Sequence, residues 1–153
     1  MATMKNREDL KDVPYFQGLY KIYEALMDSV DAGLFTVENA VTIITDASFK
    51  NTQMHLISGL RSKSSIKKGQ YTKEHVVPIR KAAKYVFKQR VNFNSFCEVF
   101  ELCRIVHKTT SGENMAARKV YNEVYDGCDV FEATRVQEEV YELAGIELVK
   151  ENR

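Results

Sequence analysis

Tyr71-Thr72-Lys73-Glu74-His75-Val76-Val77-Pro78, read together with Cys103-Arg104-Ile105-Val106-His107-Lys108-Thr109-Thr110-Ser111-Gly112-Glu113-Asn114, decides the fold. Each stretch carries β-branched residues that favour a strand, and each runs into a helix-start signal. Pro78 forces Val77 out of the α region and then opens a helix with Ile79, Ala82, Ala83, Val86 and Phe87 on one face. Thr110 with Glu113 forms a T-x-x-E capping box before a helix carrying Met115, Ala116 and Val120. The reading is an antiparallel pair, 70–78 with 104–110, and a helix over 111–123 packed on it.

Outward from this unit the chain reads as helical. Leu19, Ile22, Tyr23, Leu26 and Val30 recur at helical spacing from Tyr15, and Gly33 is a stop. Thr36 caps a second helix carrying Ala40, Val41 and Ile44, although the β-branched run 41–45 competes for strand. Residues 48–62 continue as a third helix with Met54, Leu56, Ile57 and Leu60 inward. Ser62 to Gln70 reads as a basic loop, Asn94 or Ser95 caps a helix through Leu102, and a last helix runs from about Thr134 to Leu143. The expected architecture is mainly α with a small two-stranded β element, a ββα-like unit embedded in a helical domain. A single domain spans 1–153, with residues 1–13 as a loose arm.

Composition excludes several classes. At 153 residues with 44% hydrophobic and 10% aromatic content, the chain suits a folded domain rather than a disordered one. No apolar run approaches membrane-span length, so no membrane partner is expected. Cys97, Cys103 and Cys128 form no CxxC pair, and an odd count argues for a reducing cytoplasm rather than a disulfide framework. There is no glycine-rich phosphate loop, no G-x-S-x-G and no H-E-x-x-H.

Charge is lopsided. Residues 61–90 hold ten Lys/Arg against one acid, Glu74, a local net of +9 in a chain of net +1. Residues 121–153 sum to −6. A carboxylate beside an imidazole within a basic band points to chemistry on a polyanion, with Arg61, Lys63, Lys67, Lys68, Lys73, Arg80, Lys81, Lys84 and Lys88 as the residues that hold phosphates. The bland reading stands beside it: a Glu-His dipeptide on an exposed strand, and the wet side of an amphipathic helix.

Glu74-His75-Val76-Val77-Pro78 resembles the acid-His-aliphatic-aliphatic-Pro motif of the HNH, or His-Me finger, endonucleases, and the resemblance covers about residues 70–120. It implies a metal-dependent nuclease that hydrolyses phosphodiester bonds, acting on DNA. His75 would be the general base, and Glu74 would bind one divalent ion, Mg²⁺ by type. The second motif has two alignments. Leu102-Cys103-x-x-Val106-His107 makes His107 the metal ligand, with Val106 where the family carries a cysteine; treating 104–109 as a strand makes Asn114 the ligand instead. Two other classes remain open. One is a non-catalytic nucleic-acid-binding or regulatory protein. The other is a helical interaction or inhibitor protein of phage or mobile-element type, in which the acidic tail and basic middle mediate contacts, including self-association.

Overall fold

The computed structural model describes residues 8–49 and 54–151. Within them the order is a 3₁₀ turn (Leu10–Asp12), α1 (Pro14–Asp31), α2 (Val37–Ser48), β1 (Leu56–Ser62), α3 (Lys63–Lys68), β2 (Thr72–His75), α4 (Ile79–Gln89), α5 (Phe93–Glu101), β3 (Ile105–Thr109), α6 (Ser111–Glu123), α7 (Val130–Leu143) and β4 (Leu148–Lys150). No helix among these residues is long and apolar enough to cross a membrane.

The local chemistry explains most boundaries. Thr36 accepts from the Asn39 amide at the start of α2. At α6 both halves of the capping box form, Glu113 N to Thr110 Oγ1 at 3.1 Å and Thr110 N to Glu113 Oε1 at 2.9 Å. Asn92, rather than Asn94 or Ser95, caps α5. Asp129 caps α7, so that helix begins four residues before the expected Thr134.

The expected antiparallel pair is present. β2 and β3 run antiparallel, with Thr72 opposite Thr109, Glu74 opposite His107 and His75 opposite Val106. Their connection is α4 and α5. The two-stranded element itself is corrected, because the sheet has four strands in the order β2-β3-β1-β4. β1 lies parallel to β3 and antiparallel to β4. The overall class stays mainly α.

The cause of the miss is β1. Its apolar residues Leu56, Ile57 and Leu60 fit a helical face as well as a strand, and 48–62 was expected to be helical; residues 50–53 of that span lie outside the described ones. Gly59, at φ +84°, breaks any helix there and sits inside a register irregularity between Ile57 and Arg61. The stretch read as a basic loop likewise holds α3, capped by Ser62 and ended by Gly69 in the left-handed conformation.

One core runs through the described residues, and its aromatic part lies where α1, α4 and α5 meet. Phe16, Tyr23, Phe96 and Phe100 are fully buried there, with Phe96 and Phe100 ring centroids 4.8 Å apart. Leu10, within the stretch read as a loose arm, is also fully buried. Below this core, Arg104 is 4% exposed, and its guanidinium donates to Met54 O at 2.9 Å, Glu8 O at 2.8 Å and the Glu101 carboxylate at 3.2 Å.

A buried cation that loses its partners, or partners that lose their cation, destabilise a fold strongly. Arg104→Ala is therefore expected to lower unfolding stability by about 3 kcal/mol, and Thr110→Ala by about 1 kcal/mol. Both are read as lower urea midpoints at unchanged slope. An Arg104 variant as stable as the parent would refute its anchoring role.

Candidate active site

Adjacent residues on a strand face opposite sides of the sheet, and β2 obeys this for its two chemical residues. Glu74 points to the side packed by α6 and α7, across from His107. His75 points the other way, its ring 5.5 Å from Phe49 and 4.9 Å from His55. Both residues nevertheless border one cleft of about 730 Å³, because β2 ends at His75 and the chain turns at Pro78 into α4. Successive turns of α4 supply one wall through Arg80, Lys81, Lys84 and Lys88. Asn114, Arg118 and Asn122, four residues apart on α6, supply another.

His75 is held in one tautomer. Its Nδ1 lies 2.6 Å from the carbonyl oxygen of Cys103, which only accepts, so Nδ1 carries the hydrogen and Nε2 keeps its lone pair. Burial lowers the His75 pKa, and the nearby Lys73 ammonium lowers it further, against the pull of the Cys103 carbonyl. The ring is thus neutral at pH 7, the form a general base requires.

Glu74 is 5% exposed, and its carboxyl is pushed up to about 8, first by burial and then by the Glu113 charge. Tyr141 and Arg118 act in the opposite direction. Tyr141 Oη and Glu74 Oε2 still fall short of hydrogen-bond geometry, and both atoms are buried without a partner. His107 is 6% exposed, and burial holds its pKa down to about 4. Its Nδ1 lies 2.6 Å from Ser58 Oγ, and its ring meets Tyr141 edge-on at 5.6 Å.

Of the three expected metal donors, Glu74 and Asn114 line the cleft and His107 does not. Among the described residues no group of three or more His, Cys, Asp or Glu is placed to hold a metal ion. Glu74 and Asn114 carry oxygen donors of the kind an ion of the Mg²⁺ type takes, but with its pKa pushed up to about 8 the Glu74 carboxyl must first lose its proton. Glu74 Oε2 is itself buried, next to the equally unpartnered Tyr141 hydroxyl.

The basic residues divide. Lys84 and Lys88 are exposed on the cleft wall, whereas Arg80 is paired with Glu38. Lys81 Nζ donates to the carbonyl oxygens of Tyr125 at 3.3 Å and Cys128 at 3.5 Å. Arg61 bonds Ser65 and Glu151, and Lys63 pairs with Glu147. Lys67 and Lys68 are exposed on α3, and Lys73 is half-buried beside Lys108 in the β2–β3 register. None of Arg61, Lys63, Lys67, Lys68 and Lys73 lines the cleft. Sequence reasoning missed Arg118, which its spacing of one helical turn from Asn114 would have revealed. It also missed Ser58 and Tyr141, for which no local signal exists.

Comparison with protein-family models, curated proteins and solved structures gives no match.

The shifted groups set a pH profile of stability. Folded Glu74 keeps its proton from its ordinary 4.5 up to about 8 while the unfolded chain ionises, so its contribution is complete at low pH and lost as pH rises to about 8. His55 and His107, lowered from 6.5 to about 4, contribute above 6.5 and lose that contribution as pH falls toward 4, and His75 acts in the same direction. In metal-free buffer the thermal midpoint is expected to peak near pH 6.5 and fall toward pH 8, and Glu74→Gln should abolish the alkaline fall. A parent midpoint that keeps rising from 6.5 to 8 contradicts a protonated Glu74.

Proposed function

We propose that this chain is an HNH-like nuclease that hydrolyses phosphodiester bonds of nucleic acid, DNA being the first substrate to test. The observation that carries the reading is that Glu74, His75 and Asn114, from β2 and α6, all border one cleft walled by the α4 cations. His75 Nε2 takes the proton of the attacking water, with the Cys103 carbonyl fixing the ring through Nδ1. Lys84 and Lys88 hold the phosphates that flank the scissile bond, and Arg118 adds charge from the α6 wall. Glu74 and Asn114 are the residues that would hold a divalent ion, which supplies charge neutralisation at the phosphoryl oxygens.

A non-catalytic nucleic-acid-binding protein is the second reading. It is favoured by the Glu74 carboxyl, which at about 8 stays protonated at neutral pH and must lose that proton before it can bind a cation.

Supercoiled plasmid and single-stranded DNA, incubated with Mg²⁺, Mn²⁺ or EDTA, distinguish the two. The nuclease predicts metal-dependent cleavage that falls by a factor of about 100 or more in His75→Ala. Equal cleavage by His75→Ala would sink the base assignment. Salt-sensitive binding without cleavage would leave the second reading standing. The Lys84→Glu, Lys88→Glu double variant is expected to weaken DNA binding and to lower the slope of log affinity on log salt by about 2.

A further inference from the structure

The cleft carries cations on α4, at Lys84 and Lys88, and on α6, at Arg118, and carboxylates along the 126–132 segment. Asp126, Asp129 and Glu132 line the same cleft, all exposed, and none of the three pairs with Lys84 or Lys88. Lys81 ties this acidic segment to α4 through the Tyr125 and Cys128 carbonyls, so its place beside the helix is held by backbone contacts. Phe131 does not itself line the cleft; it is 45% exposed beside it, and its ring meets that of the lining residue Tyr85 edge-on at 5.6 Å.

We propose that the cleft takes a single strand of nucleic acid, backbone against α4 and bases toward the 126–132 wall, and excludes duplex; this rests on the nucleic-acid reading of the same cleft. A duplex carries phosphates along both edges of each groove, so seating one row on Lys84 and Lys88 drives the other toward the three carboxylates. A single strand has phosphates on one edge and bases on the other. Its bases offer exocyclic amino groups, which carboxylates accept as cytosine N4 shows, and a flat π-face for Phe131 and Tyr85. A volume of 730 Å³ is that of a small-ligand pocket, room for about one or two nucleotides rather than for paired strands.

The test is equilibrium binding, by fluorescence anisotropy, of one labelled oligonucleotide as single strand and as duplex. It is run in EDTA, with the parent and with His75→Ala, so that it does not depend on catalysis. The single strand is expected to bind at least about tenfold tighter, and Phe131→Ala to reduce that affinity about tenfold while duplex affinity stays unchanged. The Asp126→Asn, Glu132→Gln pair, which spares the α7 cap at Asp129, should raise duplex affinity. Equal binding of the two forms, or a Phe131→Ala variant that folds and binds the single strand like the parent, overturns the proposal. Absence of cleavage with the strand preference intact removes only the hydrolytic role. No binding of either form at low salt removes the nucleic-acid reading and this inference together.

Discussion

Arg104 sits where α5 hands over to β3, and the rest of the sheet is set out from that point. A guanidinium taken out of water destabilises a fold unless its donors are met, and here they reach the Glu8 and Met54 carbonyls and the Glu101 carboxylate. Glu101 in turn accepts the Leu10 amide at 2.8 Å, which draws the 3₁₀ turn onto the same anchor. The backbone on either side of Arg104 is then used twice. Its own carbonyl accepts the Leu56 amide at 2.8 Å and starts β1, and the preceding carbonyl, of Cys103, orients the His75 ring. The same two residues, Cys103 and Arg104, thus carry the buried cation, the first contact of β1 and the carbonyl that meets the imidazole.

Where local chemistry decided an element, the sequence was legible. The capping box at Thr110 and Glu113, the Thr36 cap and the Pro78 start all lie within four residues of what they determine. The β2–β3 pairing was legible as well, since both strands are flanked by such signals. β1 and β4 were not, because Leu56, Ile57 and Leu60 satisfy two periodicities, and the choice between them is made by partners about fifty and ninety residues away. The site shows the same division. Glu74, His75, Asn114 and the α4 lysines could be named from spacing. That Arg80 spends its charge on Glu38, and that His107 turns inward to Ser58, depends on contacts 42 and 49 residues apart.

The side of the sheet under α7 holds an unusual load of unmet polarity. Glu74 Oε2, Thr109 Oγ1, Gln137 Oε1 and Tyr141 Oη are all buried without a hydrogen-bond partner. Such atoms cost about 1–3 kcal/mol each, and natural chains tolerate them mainly where function demands it. Ser58 shows how β1 contributes: the irregularity around Gly59 lets its hydroxyl serve both His107 and the Leu60 amide.

The placing of β3 between β2 and β1 also governs the order in which the molecule can assemble. Its partners come from distant parts of the chain, and closing those loops costs entropy before any pairing repays it. The helical hairpin α1–α2 can form from near neighbours, but the carbonyl that aims His75 lies 28 residues from it and the hydroxyl that meets His107 lies 49 away. The groups that orient His75 and His107 are therefore supplied only when segments 28 and 49 residues apart have come together, so neither imidazole is held by its own local sequence.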